Sequence, residues 1–280
     1  MTMLGVSTSA IGGRRCFDDL LAYEPDVIEF YNYPSAALAD IRQFCAKRDI
    51  RPALHTPVPY DAAAPLTRFA PTGPDPQQAA AALRLTRRTI RCAADLGALH
   101  VVVHFPSPYP PFPKEGFASA GAAFLDAVAE EALTEGVSVL IENLSAHPLL
   151  RTPDEYLAAL GERPGLSLCL DLGHAHLMGG DGSPLAFARA LGAKIASMHV
   201  YNTTADRYAV HGHELAKKEQ TAAQGFMDLS TLIPALVGLS APSAVVLEHG
   251  RRGVDPAAAA RTAAWMRELI TDSRARRGHE

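Results

Sequence analysis

Asp171 closes the apolar run LSLCLD, and His174 and His176 follow it within LCLDLGHAHLMGG. A carboxylate with imidazoles at this spacing can ligate a cation, move a proton, or cap a helix and hydrogen-bond within the fold. The same residue types end other apolar runs. His55 ends RPALH, His104 falls near the end of HVVVHF, Glu142 ends VSVLIE, His199 sits in KIASMHV and Glu248 in AVVLEH. Each of these alone has an ordinary structural explanation. Together they do not, because converging buried carboxylates without a lysine or arginine beside them repel one another and are costly to desolvate. A bound cation removes that cost. Imidazole with carboxylate suits zinc, manganese or iron, and no cysteine falls at these positions to suggest a thiolate zinc site.

The runs recur along the whole chain as short strands: 3–7, 26–31, 51–55, 100–105, 137–142, 166–171, 194–200 and 244–249. Ala- and Leu-rich helical segments separate them, for example 76–97 and 115–136, and a last helix is expected over 255–272 with a loose tail from 271 to 280. Eight strands alternating with helices are what an α/β fold of the (β/α)8 TIM-barrel type requires, here as a single domain over 1–280. A doubly wound open sheet is the rival, but no GxGxxG follows the first strand. Barrel sites form at the carboxyl ends of the strands. Six of the eight strands deliver a His, Asp or Glu to that rim, with His174 just beyond the sixth and His211 and His213 in the loop after the seventh.

A net charge of −4 on 280 residues carries no basic bias towards nucleic acid. The loops YNYPSAAL and PSPYPPFPKEG hold one lysine between them, too few cations to grip a duplex, so DNA is not the expected partner. Four cysteines without CxxC spacing read as small hydrophobes in a reducing compartment. With no signal-like start and no apolar run of 18 residues, a cytoplasmic chain without a membrane span is expected, as monomer or homo-oligomer.

The motifs LGVSTSAIGG, LIENLS, LCLDLGHAHLMGG and MHVYN, in that order, resemble the xylose-isomerase-like TIM-barrel superfamily, AP endonuclease family 2, which includes endonuclease IV and sugar phosphate isomerase/epimerase relatives. The resemblance runs over nearly the whole chain and implies two to three divalent ions. Glu142 would bridge two of them, with His55 and His104 completing one site and Asp171, His199 and Glu248 the second. His174, His211 and His213 would hold a third. The family has Asp-x-His where this chain reads VHGHE, so His211 stands in for an acid there.

Two chemistries follow. Clustered ions suit hydrolysis of a phosphoester on a small phosphorylated sugar-like or nucleotide-like substrate, and the extra imidazoles His55, His104, His211 and His213 favour this reading. Alternatively, one ion held by Glu142, Asp171, His199 and Glu248 suits sugar or sugar phosphate isomerisation or epimerisation. Glu142 and Glu248 would then move the proton and His174 would bind the substrate. Abasic-DNA cleavage and a non-catalytic metal-binding module are the remaining alternatives. His147, Lys217, Tyr201 and Asn202 are candidate substrate contacts. His100, His176, His249 and His279 are read as structural.

Overall fold

The computed structural model describes residues 1–12, 14, 16–61, 68–145, 147–179, 183–252 and 254–277. Apolar runs of four to six residues form β1 (Met3–Ser7), β2 (Val27–Tyr31), β3 (Arg51–His55), β4 (Val101–His104), β5 (Val139–Glu142), β6 (Leu166–Asp171), β7 (Ile195–Val200) and β8 (Ala244–Leu247). They follow one another in the order β1 to β8 as a closed barrel, with β8 returning to β1. Near-continuous burial along runs such as VVVH and VLIE is the pattern of parallel strands covered on both faces.

The helices are α1 (Leu38–Arg48), α2 (Pro76–Leu96), α3 (Phe117–Glu135), α4 (Pro153–Leu160), α5 (Leu172–Met178), α6 (Pro184–Leu191), α7 (Ala205–His211), α8 (Leu229–Ser240) and α9 (Pro256–Arg277). Their starts are written locally. Asp75 accepts from Gln77 and Gln78 at the head of α2, Thr152 and Glu155 form a capping box on α4, and Ser183 caps α6. Pro76, Pro153 and Pro184 occupy first-turn positions where no amide hydrogen is needed. The last helix reaches Arg277, so the tail expected from residue 271 starts as helix. Residues 278–280, and with them His279, lie outside the described residues.

Two compact units can be distinguished, Met1–Glu29 with Leu170–Glu280, and Phe30–Cys169. In the first, the register Ser7↔Glu29, Gly5↔Val246 and His199↔Val246 ties β2, β1, β8 and β7 together. Arg267 on α9 reaches Asp26 at 3.0 Å and the Glu24 carbonyl, and Asp26 accepts the Leu4 amide at 2.9 Å. In the second unit, His104↔Glu142 pairs β4 with β5, and Glu142↔Cys169 pairs β5 with β6. Tyr156 on α4, fully buried, accepts the Leu144 amide at 3.1 Å and so fastens the segment leaving β5. No helix among the described residues is long and apolar enough to cross a membrane.

Candidate metal centre

The unit Phe30–Cys169 brings His55, His104 and Glu142 together, their ligand atoms within 4.8 Å of one another. The strand register explains this: His104 and Glu142 are direct partners across β4 and β5. His55 Nε2 is 3.2 Å and His104 Nε2 3.0 Å from the same oxygen, Glu142 Oε2, and the two imidazole centroids are 4.6 Å apart. His55 Nδ1 lies 3.0 Å from the Thr56 carbonyl, a contact in which the ring nitrogen must donate. A neutral His55 then turns the lone pair of Nε2 towards a carboxylate oxygen. That arrangement is repulsive unless the ring is protonated or a cation stands between them. The donor set therefore fits a divalent ion.

The unit Met1–Glu29 with Leu170–Glu280 holds a second collection. His199, fully buried on β7, has Glu29 on one side and Glu248 on the other. Its Nε2 is 3.0 and 3.2 Å from the Glu29 oxygens, and its Nδ1 is 3.2 Å from Glu248 Oε2. His213 Nδ1 is 3.3 Å from that Glu248 oxygen and 3.2 Å from the Glu248 carbonyl. Burial pushes the Glu248 carboxyl up, but the facing imidazoles of His199 and His213 outweigh it and hold the group well below the usual carboxylate range. Asp171 plays two parts at once. Its Oδ1 accepts the His174 amide at 2.7 Å and caps α5, while Oδ2 lies 3.3 Å from His174 Nδ1. Asp171, His174 and His213 have ligand atoms within 4.8 Å of one another. Tyr201 stacks on His213 at 3.8 Å and 7°, and Tyr208 meets His174 Nε2 at 3.1 Å. Gly173 lies directly against the Tyr201 ring, where a Cβ would stand 2.2 Å from two ring carbons.

One expectation needs correction. His211 does not join His174 and His213. The segment after β7 folds into α7, capped by Thr204, and carries His211 to its exposed end, so the Asp171 carboxylate completes the set instead. The Asn202 amide donates to the Met227 carbonyl and accepts the Met227 amide, both at 3.0 Å, which holds the chain ahead of α8. Lys217 is exposed on a turn, its backbone amide tied to Gln220 at 2.8 Å. Its side chain shares a cavity of about 440 Å³ with Arg207, His211, His213 and Arg252. Tyr201 is wholly buried against His213. His176 is half-buried and meets the Gly225 carbonyl at 2.9 Å. Glu29 is the site residue that the sequence reading missed. The only signal was an acid in the middle of the apolar run DVIEFY, where a buried strand has no ordinary use for one.

His147 and His249 are buried and kept neutral. His147 sits between Phe112 and Phe117 with Nδ1 accepting the Leu149 amide at 3.2 Å, and His249 accepts from Tyr23 at 2.9 Å while Nδ1 donates to the Gly250 carbonyl. Burial lowers both from the ordinary 6.5 to about 4. Between those values the unfolded chain takes up protons that the folded chain refuses. Stability therefore falls as pH drops from about 6.5 towards 4, by up to about 1.4 kcal/mol per pH unit for each ring. NMR titration should find neither ring protonating above pH 5; a midpoint near 6.5 for either would contradict this burial.

The family model described as xylose isomerase-like TIM barrel matches residues 17–269. The chain belongs to the xylose isomerase-like TIM barrel family. Among solved members of this fold, L-ribulose 3-epimerase is 18% identical with a TM-score of 0.76, covering 99% of this chain and 97% of its own. D-psicose 3-epimerase with D-tagatose from Clostridium cellulolyticum H10 is 15% identical with a TM-score of 0.73, over 97% and 99%. The IOLI protein with a binding zinc atom is 17% identical with a TM-score of 0.73, over 97% and 99%. At these identities the likeness is one of fold. No curated protein matches the chain in sequence.

Proposed function

We propose that the chain is a metal-dependent sugar epimerase or isomerase that uses Glu142, Asp171, His199 and Glu248 as metal ligands and Glu142 and Glu248 for proton transfer. The observation that carries this reading is a repeated local arrangement. Two buried carboxylates at strand ends each face two imidazoles: Glu142 with His55 and His104, Glu248 with His199 and His213. A divalent ion bound by these residues would polarise a carbonyl and its neighbouring hydroxyl and so acidify the hydrogen on the carbon beside them. Glu248, which faces the imidazoles of His199 and His213, would accept that hydrogen as a proton. Epimerisation also needs an acid to return a proton to the same carbon, and Glu142 in its protonated form is the group proposed for it. His174, buried and fixed by Asp171 and Tyr208, binds a substrate oxygen. The ketose 3-epimerases among the structural neighbours support sugar chemistry over phosphoester hydrolysis, which reverses the order expected from the count of imidazoles.

Hydrolysis is retained as a second reading on one observation. His55, His104 and Glu142 form a complete three-donor set, as do Asp171, His174 and His213, more than a mononuclear isomerase needs. The test combines metal content with isotope exchange. Protein purified without chelator should hold at least one divalent ion per chain and should incorporate solvent deuterium beside the carbonyl of L-ribulose, D-tagatose or D-fructose. Cleavage of phosphoesters without any such exchange would replace the first reading by the second. Folded protein that binds no metal would end both.

A further inference from the structure

We propose that Glu29 is a positioning residue that fixes the tautomer of His199 and so decides which ring nitrogen is offered to the metal. This rests on the reading of His199 as a ligand. Glu29 and His199 are both fully buried, and Nε2 meets both Glu29 oxygens, at 3.0 and 3.2 Å. A carboxylate only accepts, so Nε2 is the nitrogen that carries hydrogen. The lone pair is left on Nδ1, and Nδ1 is the atom that faces Glu248 Oε2 at 3.2 Å. Two lone pairs at that distance repel unless a cation lies between them, so the tautomer that Glu29 selects is the one that favours an ion on the Glu248 side.

Glu29 engages Nε2 and Glu248 faces Nδ1, so the two carboxylates address different nitrogens of one ring; because Glu29 also offers a donor atom within 4.8 Å of that of Glu248, direct ligation by Glu29 is the alternative that the ion count decides. A carboxylate behind the ligating ring also raises the basicity of the ligating nitrogen, and loss of such a partner costs 10- to 100-fold in metal affinity. Backbone placement supports the assignment. Glu29 is held in register with Ser7 of β1, in the interior of a strand whose Val27, Ile28 and Phe30 are all fully buried. A buried charge at such a position is expensive without a partner, and His199 supplies one.

The experiment measures Co²⁺ and Zn²⁺ affinity by competition with a chromophoric chelator, in the full chain and in Glu29→Gln and Glu29→Leu. Glutamine still accepts the Nε2 hydrogen through its amide oxygen but lacks the charge, whereas leucine removes the acceptor. Affinity should therefore fall about 10-fold in Glu29→Gln and about 100-fold in Glu29→Leu, with the number of ions per chain unchanged. In metal-free protein labelled with ¹⁵N-histidine, His199 should be the Nε2–H tautomer in the parent and in Glu29→Gln, and should lose that preference in Glu29→Leu. Three results would overturn the proposal: affinities within twofold of the parent in both variants, an unchanged tautomer in Glu29→Leu, or the loss of one whole ion per chain, which would make Glu29 a ligand itself. A purely structural role would lower the Tm of the metal-free variants and leave affinity per folded molecule intact, which also counts against it. If the parent protein binds no metal the reading of the centre fails, while the tautomer measurement still decides the role of Glu29.

Discussion

Replacing Glu142 by glutamine is expected to lower kcat for ketose epimerisation by about 10²- to 10⁴-fold, the usual contribution of a positioned acid–base group. The amide keeps the shape of the side chain but cannot take up a proton near neutral pH. It also presents a weaker acceptor, without charge, to the two imidazole nitrogens now 3.2 and 3.0 Å from Glu142 Oε2. Metal content should fall as well, because His55 and His104 lose the carboxylate they share. The fold should survive. Glu142 is the last residue of β5, its strand pairing runs through the backbone, and replacing a buried charge by a neutral isostere removes a desolvation cost. The measurements are kcat, deuterium exchange at the carbon beside the carbonyl, metal per chain and Tm. A variant that keeps more than a tenth of parental kcat would remove Glu142 from the proton path.

Gly173→Ala should show the opposite profile: a structural failure that reaches the site. Helix propensity alone favours alanine over glycine by about 1 kcal/mol within a helix such as α5. Sterics decide otherwise. The added carbon would stand 2.2 Å from Tyr201 Cε2 and Cζ and 2.6 Å from its hydroxyl oxygen, and Tyr201 has no free space because it is wholly buried and stacked on His213. Either α5 or the tyrosine must move, an overpacking cost of about 3 kcal/mol or more that outweighs the propensity gain. Chemical denaturation should show that loss. Metal affinity should drop with it, since α5 carries His174 and the tyrosine supports His213. Unchanged stability would mean that the close approach of helix and ring relaxes at little cost.

Much of this molecule can be read from its residues. Continuous runs such as VVVH and LSLCLD identify buried parallel strands, and the acids and histidines that end them mark one rim once a barrel is assumed. The grouping of His55, His104 and Glu142 is implied by the family resemblance, whereas Asp171 is expected beside His199 and Glu248 and not with His174 and His213. Loops were harder to read. VHGHE offers two histidines two apart, and spacing cannot tell which one the chain turns inward; Thr204 decides it by starting a helix that ends at His211. Asn202 has the polarity of a substrate contact, yet both ends of its amide are used by Met227, a partner 25 residues away. Glu29 escaped notice because a single acid in DVIEFY lies mid-strand rather than at the strand end where chemistry was sought. Its meaning lies in His199, 170 residues on.

Asp171 serves with one oxygen as the cap of α5 and with the other faces the imidazole of His174. Any ion that draws on this carboxylate therefore bears on the first turn of the helix that carries His174. Ion occupancy and local opening of α5 become linked equilibria: the free energy of binding reappears as protection of the amides from His174 onward, and fraying of that turn weakens the hold on the ion by the same amount. Hydrogen exchange at the start of α5 would thus report the state of the centre without a substrate, and without knowing what the substrate is.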